Sequence, residues 1–143
     1  MSPDDLVEQL GDKRSRLDAI RQLMGGLNAR ELRDAVVTEE VFEALVRGTR
    51  HRSDVVRWWS VQLLDHCPDK RAFDAVVPLL DDPVDRVRRN AVHALGCRVC
   101  KPNSDSKADL TVMARIQSMA AQDLNAKVRR EASATLAAIV ASS

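Results

Sequence analysis

The decapeptide VRRNAVHALG, Val87 to Gly96, recurs along the chain, and a recurring segment constrains a fold more tightly than any other feature of this sequence. It matches VRREASATLA (Val128 to Ala137), VRWWSVQLLD (Val56 to Asp65) and, more loosely, SRLDAIRQLM (Ser15 to Met24). Small residues fall in register at Ala19, Ser60, Ala91 and Ala132, and leucines at Leu23, Leu64, Leu95 and Leu136. Repetition on this scale means stacked supersecondary units, none of which buries its apolar face alone. Within a copy, Val87, Ala91, Ala94 and Leu95 follow helical spacing and share one face.

A second amphipathic stretch lies upstream of three copies, at Leu32 to Val46, Ala72 to Leu80 and Leu110 to Ala121. Breakers separate the pairs. Cys67-Pro68-Asp69 ends one helix and starts another, Asp82 and Pro83 read as an N-cap and N1 pair, and Lys101 to Lys107 (KPNSDSK) is a polar loop. At the start of the chain, Ser2 reads as an N-cap with Pro3 at N1 and Asp4 and Asp5 at the positive end of the dipole. Aromatic residues are 3% of the chain and Tyr is absent, which turns the propensities away from β-sheet. The expected fold is all-α: one domain, 1–143, forming a short right-handed α-solenoid of about four helix pairs, 3–25, 29–67, 69–99 and 107–141. The first pair has a short leading helix.

Charge and cysteine content narrow the function classes. Lys and Arg total 22 against 21 Asp and Glu, and a net charge of +1 gives no long-range field toward nucleic acid or an anionic membrane. Anion binding would therefore be local. Three cysteines, with no apolar leader read at the start, point to a reducing cytoplasm. No run approaches the roughly 20 apolar residues of a membrane span. There is no Gly-rich phosphate loop, Ser-centred elbow or His-Glu-x-x-His, so the expectation is that the chain is not an enzyme.

The block DDP-x-x-x-VRRNAVHALG, Asp81 to Gly96, resembles the second helix of a HEAT repeat, in the short form found in phycobilin-lyase-like HEAT proteins. The resemblance covers about residues 30 to 140. It implies a stacking ladder between an interhelical Asp and an Arg at the head of the second helix. Asp82 with Arg88 and Asp123 with Arg129 match that pattern, each Asp six residues ahead of its Arg. The Trp-containing copy keeps Arg57 but has His51 at the Asp position, and the first copy has Leu10 there. The ladder arginines are then architectural.

Arg86, Arg89, Lys127 and Arg130 remain, and on the helical wheel they lie away from the Val, Ala and Leu face, on the surface that the second helices share. His93 sits on the same exposed stripe. Trp58 aligns with Arg89 and Arg130, and Trp59 with Asn90 and Glu131, so the tryptophans read as outward too. One reading makes them packing against the N-terminal repeat; the other makes them aromatic anchors of a partner-binding surface with the arginines. That surface would suit an acidic or amphipathic peptide, or a stacked base.

Aligning Leu64 with Leu95 brings His66, Cys67, Cys97 and Cys100 to one region, and three thiols with an imidazole are a zinc set in kind. The step from Val87 to Val128 is 41 residues against 31 from Val56 to Val87, and a metal would pin the extra loop. Against it stands the single Cys-x-x-C and the common burial of free thiols. The weight falls on no cofactor.

The preferred functional reading is a non-enzymatic scaffold that grips another protein through the concave face of its second helices. A nucleic-acid role, by analogy with alkylpurine DNA glycosylases built on HEAT-like repeats, is the alternative. A further one is an accessory to a bilin-lyase-like enzyme, while a metal-dependent HEAT hydroxylase lacks its paired His-Glu ligands here. The last helix, EASATLAAIVASS, has little polar cover, and predicts a homodimer through Leu136, Ile139 and Val140 or packing against a partner.

Overall fold

Helices account for every regular element among the described residues, which are 1–33, 36–67, 69–96 and 110–141 of the computed structural model. They form two compact units, Met1–Cys67 and Pro68–Ser143, with the boundary at the Cys67-Pro68-Asp69 breaker. The first holds α1 (Pro3–Gln9), α2 (Arg16–Met24), the short α3 (Ala29–Arg33), α4 (Glu39–Gly48) and α5 (Asp54–Leu64). The second holds α6 (Lys70–Val76), α7 (Asp85–Gly96), α8 (Leu110–Gln122) and α9 (Ala126–Ala141).

Local chemistry sets the helix ends. Ser2 forms a full capping box: its side chain accepts from the Asp5 amide while the Asp5 carboxylate accepts from the Ser2 amide, both at 3.2 Å. Two boundaries differ from the sequence reading. The stretch from Leu32 to Val46 is broken, and α4 starts only at Glu39, because the Thr38 hydroxyl caps the Val41 amide at 3.3 Å. Nor does Asp82 cap α7. Its carboxylate accepts from the Val84 amide two residues on, at 2.9 Å, closing a turn that delays the helix to Asp85. Ahead of that turn, α6 tightens into a 3-10 segment, Val77–Asp81, at Pro78, whose missing amide cannot continue the α-helical ladder.

The repeated apolar register forms the core of each unit. In the first unit Val56 and Leu64 of α5 are fully buried, with Ala19 and Leu23 of α2; in the second, Val87, Ala91 and Leu95 of α7 and Val128 and Ala132 of α9. Each buried Leu or Val contributes about 1.5–3 kcal/mol by leaving water. Leu136 is only half-buried.

Close approach in the first unit depends on Gly48. A methyl group there would lie 2.2 Å from Ser60 Oγ and 2.9 Å from Val7 Cγ1, so the α4–α5 contact admits no side chain. Ser60 has no exposed surface, and its hydroxyl lacks a hydrogen-bond partner among the described residues.

Candidate functional site

The four register arginines make one bond in common. Arg16 donates to the Leu10 carbonyl (2.8 Å), Arg57 to that of His51 (2.9 Å), Arg88 to that of Asp82 (2.9 Å) and Arg129 to that of Asp123 (2.6 Å). Each time the acceptor is the main chain six residues back. The side chain at the acceptor position is therefore irrelevant to this bond, which forms on Leu10 and His51 as it does on the two aspartates. The carboxylate half of the ladder runs differently from the pairing within one repeat that the resemblance implied. Asp123 accepts two hydrogen bonds at 3.0 Å from Arg88 of the preceding pair, not from Arg129. The Arg88 and Asp123 side chains keep 15% and 7% of their surface. Burial pushes the Asp123 carboxyl up, but the Arg88 guanidinium and the Asn125 amide outweigh it and hold the group below its ordinary value.

His51 occupies the aspartate's place and performs half of its task. Its Nδ1 accepts from the Ser53 amide at 2.9 Å, as the Asp82 and Asp123 carboxylates accept two residues on. An amide only donates, so Nδ1 is bare; the proton is on Nε2, which donates to Glu8 at 2.6 Å. Arg16, whose counterpart Arg88 reaches Asp123, finds no carboxylate at His51. Its guanidinium instead lies over the Trp59 ring, 5.3 Å from the centroid.

This contact gives Trp59 the packing on the N-terminal repeat that one of the two readings expected. Trp58 and Trp59 are half-buried, not outward, and meet edge to face with centroids 4.9 Å apart. Trp59 packs on the N-terminal repeat through Arg16. The alignment misled because Asn90, the polar counterpart of Trp59, is itself 8% exposed: a polar residue at a register position does not make that position outward.

In the second unit the surface cations do assemble. Arg86 and Arg89 of α7 and Lys127 and Arg130 of α9, all exposed, line a groove of about 510 Å³ together with Asp85 and Asn125. It continues past Arg89, Lys127 and Arg130 to Glu131 and Ala134. Glu131 lies 3.6 Å from Arg89 and 4.0 Å from His93, while the Asn125 side-chain amide donates to Asp85. Lys127 and Arg130 form no ion pair among the described residues. Sequence reasoning found the cations and missed Glu131, whose alignment with Trp59 concealed its place beside Arg89.

The zinc set cannot be placed: Cys97 and Cys100 lie outside the described residues. Cys67 is buried, with its thiol 3.8 Å from the Leu63 carbonyl, and His66 is half-buried. Among the described residues no three metal-ligating side chains come together. On α9, Ile139 is turned into the core of its unit and Val140 is 69% exposed. No helix of the described residues is long and apolar enough to cross a membrane.

Helix pairs stacked at a repeated register, tied by arginine rungs, define an all-α repeat protein of the α-solenoid class. The model for HEAT repeats matches residues 3–95 and again 38–137, and the chain belongs to the HEAT-repeat family. No curated protein matches it in sequence. Among solved structures it is similar to an engineered protein (19% identity, TM-score 0.63, covering 96% of this chain and 62% of that one). It is also similar to human deoxyhypusine hydroxylase in complex with glycerol (22%, TM-score 0.61, 97% and 43%). A third is a designed armadillo repeat protein in complex with the peptide (KR)4 (21%, TM-score 0.61, 95% and 63%). The chain thus spans 43% to 63% of the length of these three, and the likeness is one of fold.

Proposed function

We propose that the chain is a non-enzymatic interaction module that holds a partner protein against the second helices of its second unit. One observation carries this reading: Arg86 and Arg89 recur as Lys127 and Arg130 at the same repeat positions, and the four line one groove. The architectural rungs use Arg88 and Arg129 and leave these neighbours at the surface. The family supports it, since HEAT and armadillo repeats commonly serve as protein-interaction scaffolds, and the designed armadillo neighbour holds a peptide. The odd cysteine count supports the cytoplasm as its compartment. Self-association through α9 is the weaker reading. Of the three residues it would use, Ile139 is buried inside its unit and Leu136 is half-buried, which leaves Val140 as the exposed one.

A photo-crosslinking residue placed at Lys127, and separately at the exposed Asp74 of α6, tests the proposal in native lysate. A protein crosslinked from Lys127 and not from Asp74 is the expected result. Crosslinks from Asp74 alone, or from neither position, would remove the reading.

A further inference from the structure

We infer that the groove between α7 and α9 takes an acidic peptide in extended conformation, with carboxylates on alternate residues. The inference rests on the interaction reading above and narrows its partner.

The cations form a two-by-two array. Arg86 and Arg89 stand three residues apart on α7, as Lys127 and Arg130 do on α9, which is about 4.5 Å along each axis. Packed helices lie about 8–10 Å apart. An extended peptide crossing from α7 to α9 presents every second side chain to the groove, at about 7 Å intervals. That repeat brings successive carboxylates to one row of cations and then the other, within the reach of flexible Arg and Lys side chains. A helical ligand would show acidic groups about 5–6 Å apart along its own axis, closer than the roughly 8–10 Å between the two rows of cations.

The two carboxylates in the groove discriminate between kinds of polyanion. Asp85 and Glu131 stand among the four cations. A peptide brings backbone N–H donors for them as well as side-chain carboxylates for the cations. A DNA strand presents only phosphodiester acceptors, with no donor for either carboxylate, whereas an alternating peptide can turn its neutral residues and backbone N–H groups toward them and its own carboxylates toward the cations. The net charge of +1 adds no long-range attraction for a nucleic acid.

Fluorescence anisotropy on the full chain tests this with three labelled probes: an alternating Glu-Thr peptide of about ten residues, long enough to cross both helices, the matching Lys-Thr peptide, and an oligothymidylate of equal charge. The Glu-Thr peptide should bind and the Lys-Thr peptide should not. Arg89→Ala with Arg130→Ala should weaken the Glu-Thr peptide by about tenfold or more, while Arg21→Ala on exposed α2 leaves it unchanged. If the double variant loses its helical circular dichroism, Lys127→Glu at the exposed start of α9 serves in its place. Tighter binding of the oligothymidylate would overturn the inference in favour of nucleic acid, and equal loss with Arg21→Ala would reduce it to unspecific charge. Absence of peptide binding, with Lys127 still crosslinking a protein, would sink the acidic-peptide inference and leave the proposed function standing.

Discussion

At the scale of the residue, Ser60 stands apart from its register mates. Ala19, Ala91 and Ala132 fill the same position with a methyl group, whereas Ser60 brings a hydroxyl into a site with no exposed surface and no hydrogen-bond partner among the described residues. Leaving such a group unsatisfied costs about 1–3 kcal/mol. Ser60→Ala should therefore stabilise the protein by about 1 kcal/mol, seen as a higher urea midpoint at unchanged m-value. Asp123 is the opposite case. Removing it as Asp123→Ala leaves the part-buried Arg88 guanidinium without its carboxylate, and should cost about 2 kcal/mol. The pH dependence has a definite sign. The folded Asp123 titrates below its unfolded value, so its stabilisation is complete above about pH 5 and is lost as pH falls through the folded value. An Asp123→Asn variant should lose less stability than wild type between about pH 5 and pH 2, measured by thermal unfolding at each pH.

At the scale of the element, the α4–α5 contact turns on a pair of small residues. Gly48→Ala would drive a methyl group into Ser60 Oγ and against Val7, and overpacking of this kind costs about 1–3 kcal/mol. Ser60→Ala removes the nearest obstructing atom and should recover part of the loss, so a double-mutant cycle should show clear coupling. Much of this scale was legible in the sequence. The Val, Ala and Leu register located the buried faces of α5, α7 and α9, because helical periodicity survives any detail of packing. The helix starts were less legible: Thr38 was not singled out as the cap it is, and Asp82, read as an N-cap, closes a turn instead. The carboxylate half of the ladder was legible in its residues, Arg88 and Asp123, but not in its partnering, since Arg88 reaches the acid 35 residues on and not one within its own repeat. The contact of Arg16 with Trp59 was likewise not legible, since it joins two helices that no spacing within a repeat relates.

At the scale of the whole molecule, a repeat protein holds together through nearest neighbours, so damage should stay local. In Asp123→Ala, hydrogen exchange should quicken in α7, α8 and α9 well before α4 and α5, which peptide-resolved mass spectrometry would show; uniform acceleration along the chain would contradict this. The arginine rungs carry a consequence for the history of such a chain. An arginine that clasps a main-chain carbonyl places no demand on the side chain six residues before it, and Leu, His and Asp have all come to stand there. A duplicated copy arrives with its clasp working, and the vacant position is at liberty to drift toward an acid, a base or a greasy plug as its new neighbour requires.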